Sequence, residues 1–191
     1  KKGKGKVSIR GWVYRERKQK DMVFLVIRDS TNIIQAVIKQ DKLSKKEWED
    51  SNKLLIESSL EVEGELKEDK RAPTGYEVQV SKLNVIQFAD VFPIKKDQSP
   101  EFLLDNRHLW IRSRKLSAVM KVRSTVMKAF REFYYKQGFN EMAPPIFTPL
   151  ASEGGATLFE VKYFDKKVYL TQSWQLYAEA ALFGLEKIYC I

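Results

Sequence analysis

Ile33–Glu68, IIQAVIKQDKLSKKEWEDSNKLLIESSLEVEGELKE, is the stretch on which the fold turns. IIQAVIK is β-branched, apolar and of strand length. Ser44-Lys45-Lys46-Glu47 then forms a capping box, which predicts a helix over Lys45–Leu55. LEVEGELKE alternates, with Leu60, Val62 and Leu66 on one face and Glu61, Glu63 and Glu65 on the other, so the helix leads into another strand. Upstream, VSIRGWVYRER (7–17) alternates and carries Gly11 mid-strand, a usual place for a bulge or sharp bend. MVFLVIRD follows, and Asp29-Ser30-Thr31-Asn32 supplies turn chemistry. Downstream, Arg71-Ala72-Pro73-Thr74-Gly75 reads as a loop before a last strand, YEVQVSKLNVIQF. Five strands, with one helix between the third and fourth, predict a small β barrel over residues 1–88. Lys1–Lys6 is expected to fray, leaving its lysines free to touch phosphates.

Composition narrows the function. The chain has 191 residues, 43% of them hydrophobic, so a sizeable core can form in one large or two small domains. No apolar run approaches the roughly 18 residues needed to cross a membrane, and the first residues lack the apolar centre of a secretion signal. Cys190 is the single cysteine, which excludes an internal disulfide and suits a reducing, cytoplasmic setting. His108 is the only histidine, so a zinc site of the usual Cys/His kind is excluded, and His108 reads as a packing residue. The net charge of +9 suits a polyanionic partner. The excess is spread over both halves and marks no single patch. The chain opens without methionine and closes on a strand, and is expected to be a portion of a longer protein.

Beyond the barrel, Ala89–Asn106 has mixed polarity with Pro93 and Pro100 and reads as a hinge between domains, leaving 107–191 as a second domain. Ser113–Gln137 is the strongest helix: Leu116, Val119, Met120, Val126, Phe130, Phe133 and Tyr134 form one stripe, and Gly138 stops it. Its basic residues, Arg114 to Lys136, read as a solvated face. GFNEMAPPIFTP is a helix-to-strand passage. SEGGAT (152–157) is a glycine-containing loop, and Leu158–Phe164 with Lys167–Leu170 forms a hairpin around Asp165-Lys166. In YLTQSWQLYAEAALFGLEKIYCI (169–191), Ser173 can cap a helix. Gly184 sits where a left-handed residue ends one, and Lys187–Ile191 returns as a strand. Gln175 and Glu179 are four apart and share a helix face, turned either to a small polar substrate or to solvent.

QSWQLYAEA behind a strand, with SEGGATLFEVKYFDKKVYLT upstream and the barrel before both, resembles class II aminoacyl-tRNA synthetases of the aspartate/asparagine/lysine subgroup. Within it, the asparaginyl enzymes fit best, and the match runs from Val7 to Ile191. The resemblance implies an α+β protein. Residues 1–88 would be a five-stranded OB-fold anticodon-binding barrel, 89–106 a hinge, and 107–191 the start of an antiparallel-sheet catalytic domain. The long helix, Gly138, a strand and a closing proline resemble the family's first signature motif, which builds a homodimer interface; Pro145 matches its proline.

Binding roles come by the same route. Arg17, Phe24 and Gln35, with Glu77 as a further candidate, match the residues that read the anticodon and its central uridine. Stacking surfaces and donors for base edges are what single-stranded RNA requires. Glu153, Ser173 and Gln175 match residues around the bound amino acid. Ala178 stands where aspartyl enzymes carry a lysine that pairs with the substrate carboxylate. A buried carboxylate without such a partner is costly, whereas Glu179 can accept a hydrogen bond from a carboxamide and repel an acid. The implied activity is ATP-dependent formation of asparaginyl-adenylate and transfer of asparagine to tRNA. The partners are asparagine, ATP, asparagine-specific tRNA and a second copy of the chain. The arginines that bind ATP and the carboxylates that bind Mg2+ are expected beyond residue 191, and no phosphate-binding glycine loop occurs within it. These residues alone are therefore expected to be inactive. Two alternatives remain: an aspartyl enzyme that also charges the asparagine tRNA, and a non-catalytic tRNA-binding module.

Overall fold

The computed structural model describes residues 5–150 and 158–191. The chain divides into two compact units, 1–105 and 106–191.

The first unit is built on a closed barrel of β1 (Gly5–Lys18), β2 (Met22–Arg28), β3 (Ile33–Lys39), β4 (Ser59–Glu68) and β5 (Tyr76–Gln87), in the order β1-β2-β3-β5-β4. Closure comes from the long β1, whose first half pairs with β4 and whose second half pairs with β2. All neighbours are antiparallel except β3 and β5, which run parallel with Gln35 opposite Glu77. Alternation places Val23, Leu25 and Ile27 of β2 inside, with Val13, Ile38, Leu60, Val62 and Val78. Helix α1 (Lys45–Lys53) packs Trp48 against this core, and Leu54, just after it, is part of the core. Both capping-box bonds form: the Glu47 amide donates to Ser44 Oγ (3.3 Å) and the Ser44 amide donates to Glu47 Oε2 (3.0 Å).

Of the end expected to fray, residues 1–4 lie outside the described residues, while Gly5 and Lys6 pair with Leu66 and Glu65 on β4. The bulge in β1 falls between Val13 and Arg15, not at Gly11. Gly11 is needed for a different reason: a Cβ there would lie 2.6 Å from the Arg28 carbonyl oxygen, where β1 passes from β4 to β2. Within the expected hinge, Pro100–Asp105 forms a helix, α2. Pro100 opens it, where a missing N–H costs nothing, and Ser99 Oγ accepts from the Phe102 amide at 3.2 Å.

The second unit begins with α3 (Arg107–Trp110) and the long α4 (Arg114–Lys136), capped by Ser113 Oγ, which accepts from the Leu116 amide at 3.3 Å. Gly138, at φ 76°, ends the passage. The prolines break the following segment into two short strands, β6 (Asn140–Glu141) and β7 (Phe147–Thr148). β8 (Glu160–Tyr163) and β9 (Lys166–Leu170) form the expected hairpin, and β7 adds antiparallel to β9. Helix α5 (Gln175–Leu185) leads to β10 (Ile188–Tyr189), which pairs parallel with β6, so this unit's sheets are not wholly antiparallel. Gly184 does not stop α5; it lies inside, and Glu186, at φ 58°, takes the left-handed position. Around β6 and β10, Arg131 holds Glu141 through two 2.8 Å bonds, the Tyr189 hydroxyl donates to Glu141 (3.2 Å), and Tyr189 stacks on Tyr134.

Candidate nucleic-acid interface

One broad cleft of about 660 Å³ lies on the barrel's outer wall. All four anticodon candidates line it. Pairing of β1 with β2 sets Arg17 opposite Phe24, and the guanidinium carbon lies 4.9 Å from the ring centroid. Pairing of β3 with β5 sets Gln35 opposite Glu77, and Gln35 Nε2 donates to Glu77 Oε2 at 2.8 Å. Glu77 is buried, while Phe24 is half-buried. Met22, Val26 and Val37 complete an apolar strip beside the ring.

Charge surrounds that strip. Arg15, Arg17, Lys39 and Arg71 ring the cleft, and Asp69 lines it beside them. Arg71 donates to Asp69 through Nε (3.1 Å) and Nη2 (2.9 Å). Those bonds, with the Arg71 backbone amide, hold the Asp69 carboxyl below its usual range and push the guanidinium up. An aromatic face, an apolar strip, an amide–carboxylate pair and a cationic rim together can stack a base, bond its edge and hold its phosphates.

Gln79 is the member that sequence reasoning missed: its Nε2 donates to the other oxygen of Glu77 at 2.6 Å. The signal was available in the alternation. Gln79 is two residues from Glu77, as Lys39 and Val37 follow Gln35, so each strand puts these positions on one face. Asp69 and Arg71 belong to the loop between β4 and β5, where no periodicity marks them.

The amino-acid candidates lie in the second unit. Glu153 lies outside the described residues. Ser173 lines a narrow crevice with Thr148, Thr171, Leu176 and Tyr177, and its Oγ accepts from the Gln175 amide at 3.1 Å. Gln175 and Glu179 are brought together, Nε2 donating to Oε1 at 3.0 Å, but both are exposed and neither lines the crevice. Leu176 and Phe183 of the same helix are exposed as well, so exposure does not single out the polar pair. Ala178 is half-buried. Pro145 is exposed. Among the described residues no cluster of His, Cys, Asp or Glu could hold a metal ion, and no helix is long and apolar enough to cross a membrane.

Comparison with known proteins finds matches for both parts of the chain. Residues 7–86 match the OB-fold nucleic acid binding domain, and 99–191 match the class II tRNA synthetases for D, K and N. The chain belongs to this class II aminoacyl-tRNA synthetase family. It is 53% identical over 186 residues to an asparagine–tRNA ligase of Thermococcus gammatolerans and 48% identical to one of Thermoplasma acidophilum. In both cases the match takes 97% of this chain but 43% of the relative's length. Among solved structures, asparaginyl-tRNA synthetase from Pyrococcus horikoshii, complexed with asparaginyl-adenylate, superposes with a TM-score of 0.90 at 52% identity. That match covers 98% of this chain and 44% of that one. The Entamoeba histolytica enzyme, also with asparaginyl-adenylate, gives 0.82 at 32%, covering 97% and 43%.

Proposed function

We propose that this chain is part of an asparagine–tRNA ligase, contributing the anticodon-reading barrel and the first part of the amino-acid pocket. The observation that carries the reading is the barrel cleft. Arg17, Phe24, Gln35 and Glu77 come from four strands, separated by up to 60 positions from Arg17 to Glu77, and meet around one opening with the chemistry single-stranded RNA requires. The likeness to asparagine–tRNA ligases supports the choice of amino acid, as does Ala178 where a lysine would welcome aspartate.

In the whole protein, the asparagine carboxylate attacks the α-phosphate of ATP, forming asparaginyl-adenylate and releasing pyrophosphate. A hydroxyl of the tRNA end then takes the asparagine and releases AMP. Positioning and charge neutralisation suffice, with no covalent enzyme nucleophile. Ser173, Gln175, Glu179 and Glu153 contact the amino acid, Glu179 accepting from the carboxamide. Among the described residues no group of His, Cys, Asp or Glu could hold Mg2+. The exposed stripe of α4, with Val119, Phe130 and Phe133 about half accessible, and the exposed Pro145 support a homodimer built on this element. A cytoplasmic site of action accords with the lone thiol.

ATP–pyrophosphate exchange by the full-length protein tests the activity. Asparagine is expected to support exchange and aspartate is not. Preference for aspartate would overturn the role given to Ala178 and Glu179.

A further inference from the structure

We infer that Ser58 is a positioning residue: its buried hydroxyl pins the chain just beyond the barrel, fixes where it leaves, and so helps one tRNA engage both units at once. The inference rests on reading the chain as part of a tRNA ligase.

The barrel's last strand is turned before it ends. Leu60 of β4 lies opposite Val85, but Ser59 lies opposite Gln87, which leaves Ile86 as an extra residue. A bulge of this kind bends its strand. Ladder pairing stops at Gln87, and residues 88–99 run as turns and coil until Pro100 opens α2. The attachment continues two residues past the ladder, where the Ala89 amide donates to Ser58 Oγ at 3.1 Å.

The acceptor is itself fixed. Ser58 is 0% exposed, and its hydroxyl oxygen also accepts from the Leu55 amide at 3.1 Å. The Ser58 amide donates to the Leu55 carbonyl (3.0 Å), and the Ser58 carbonyl accepts from the Val13 amide on β1 (2.9 Å). Glu57, at φ 71°, donates its own amide to the Val13 carbonyl (2.7 Å), and its carboxylate accepts from Arg28 Nη2 of β2 at 3.0 Å. A left-handed backbone at a residue other than glycine persists only where its surroundings hold it. The hydroxyl therefore sits on a braced turn tied to β1, to β2 and to the end of α1, and the bracing passes to Ala89. Residues 55–58 lie outside the lining of the RNA cleft.

A tRNA read by the barrel and charged in the second unit is held at two sites joined by one linker. Binding at the first site raises the effective concentration at the second, and added freedom in the linker lowers it. Without the hydroxyl, the Ala89 peptide joins the coil that follows it. Releasing one ordered residue is worth about 5- to 30-fold. An anticodon hairpin touches the barrel alone and does not feel the linker.

The test compares Ser58→Ala and Ser58→Cys with wild type as full-length proteins; the Ser58→Cys sulfur keeps the shape but is a weak acceptor. Hydrogen exchange at the Ala89 amide should speed up in both. In aminoacylation the KM for asparagine tRNA should rise by about 5- to 30-fold with kcat little changed. The Kd for the anticodon hairpin and asparagine-dependent ATP–pyrophosphate exchange should stay as in wild type. Glu47→Ala is the control, because it weakens the same barrel without touching the Ala89 bond, and its KM for tRNA should not rise. An unchanged KM in the Ser58 variants, an equal rise in Glu47→Ala, or hairpin and tRNA weakening together would each overturn the inference. So would unchanged exchange at Ala89. Should Ser58→Ala fail to fold, Ser58→Cys decides. If wild type charges no tRNA, the ligase reading fails and the inference falls with it.

Discussion

Replacing Glu47 by alanine tests how α1 is held to the barrel. The carboxylate does two jobs. Oε2 accepts from the Ser44 amide (3.0 Å), completing the capping box of α1, and Oε1 accepts from the Leu83 amide on β5 (2.9 Å). The first bond is local and exposed; losing it costs about 1 kcal/mol, as for other helix caps. The second joins residues 36 apart, and Leu83 is 5% exposed, so its N–H loses its acceptor in a buried place. That costs roughly 1–3 kcal/mol. Together they give about 2–4 kcal/mol, which in a domain of this size lowers Tm by about 10–20 °C. Thermal unfolding measures the total, and hydrogen exchange at the Leu83 amide isolates the second bond. The pH dependence has a definite sign. Hydrogen bonds from Ser44 and then from Leu83 hold the Glu47 carboxyl below its ordinary value of 4.5. Folding therefore favours the ionised form. The stabilisation is complete above the unfolded value and drains as the pH falls through it towards the lower folded value. The Tm gap between wild type and Glu47→Ala should close in that acidic window and stay constant above it. A loss under about 0.5 kcal/mol at neutral pH, within the range of ordinary surface changes, would refute the reasoning. So would unchanged exchange at Leu83.

Two further outcomes are expected. In Gly64→Ala the added Cβ would meet the Gln79 carbonyl oxygen at 2.2 Å, beside the register shift between Glu63 and Gly64. Backbone must move, so the urea midpoint should fall by the equivalent of about 3 kcal/mol or more. Phe24→Ala should weaken binding of a hairpin RNA with an unpaired loop by about 5- to 150-fold, the range for losing one stacked base. Its Tm should change little, because the ring packs on the outer wall rather than in the core.

Legibility followed distance along the chain. The capping box at Ser44 and Glu47 was readable because four consecutive residues contain the whole interaction. The five strands were readable because alternation is a property of each strand alone. Even the cleft's chemistry was half visible, since period two puts Gln35 and Lys39 on one face of β3, and Glu77 and Gln79 on one face of β5. What no strand contains is its neighbour. Gln35 reaches Glu77 only because β3 lies parallel to β5, and nothing within either segment specifies that pairing. One misreading shares this cause. Gly184 looks like a helix stop, yet the exit of α5 meets a remote requirement, delivering Ile188 beside Asn140 on β6. The helix runs on to Leu185, and Glu186 accepts the left-handed turn that a glycine would take more easily. Pro100 suggests a break because proline ends helices from within, but at the first position it starts one. The Gln175–Glu179 pair was legible as a contact, because four-residue spacing is local, and its hydrogen bond forms. Whether that contact serves a substrate depends on what faces α5, a question of distant segments that helical spacing does not answer.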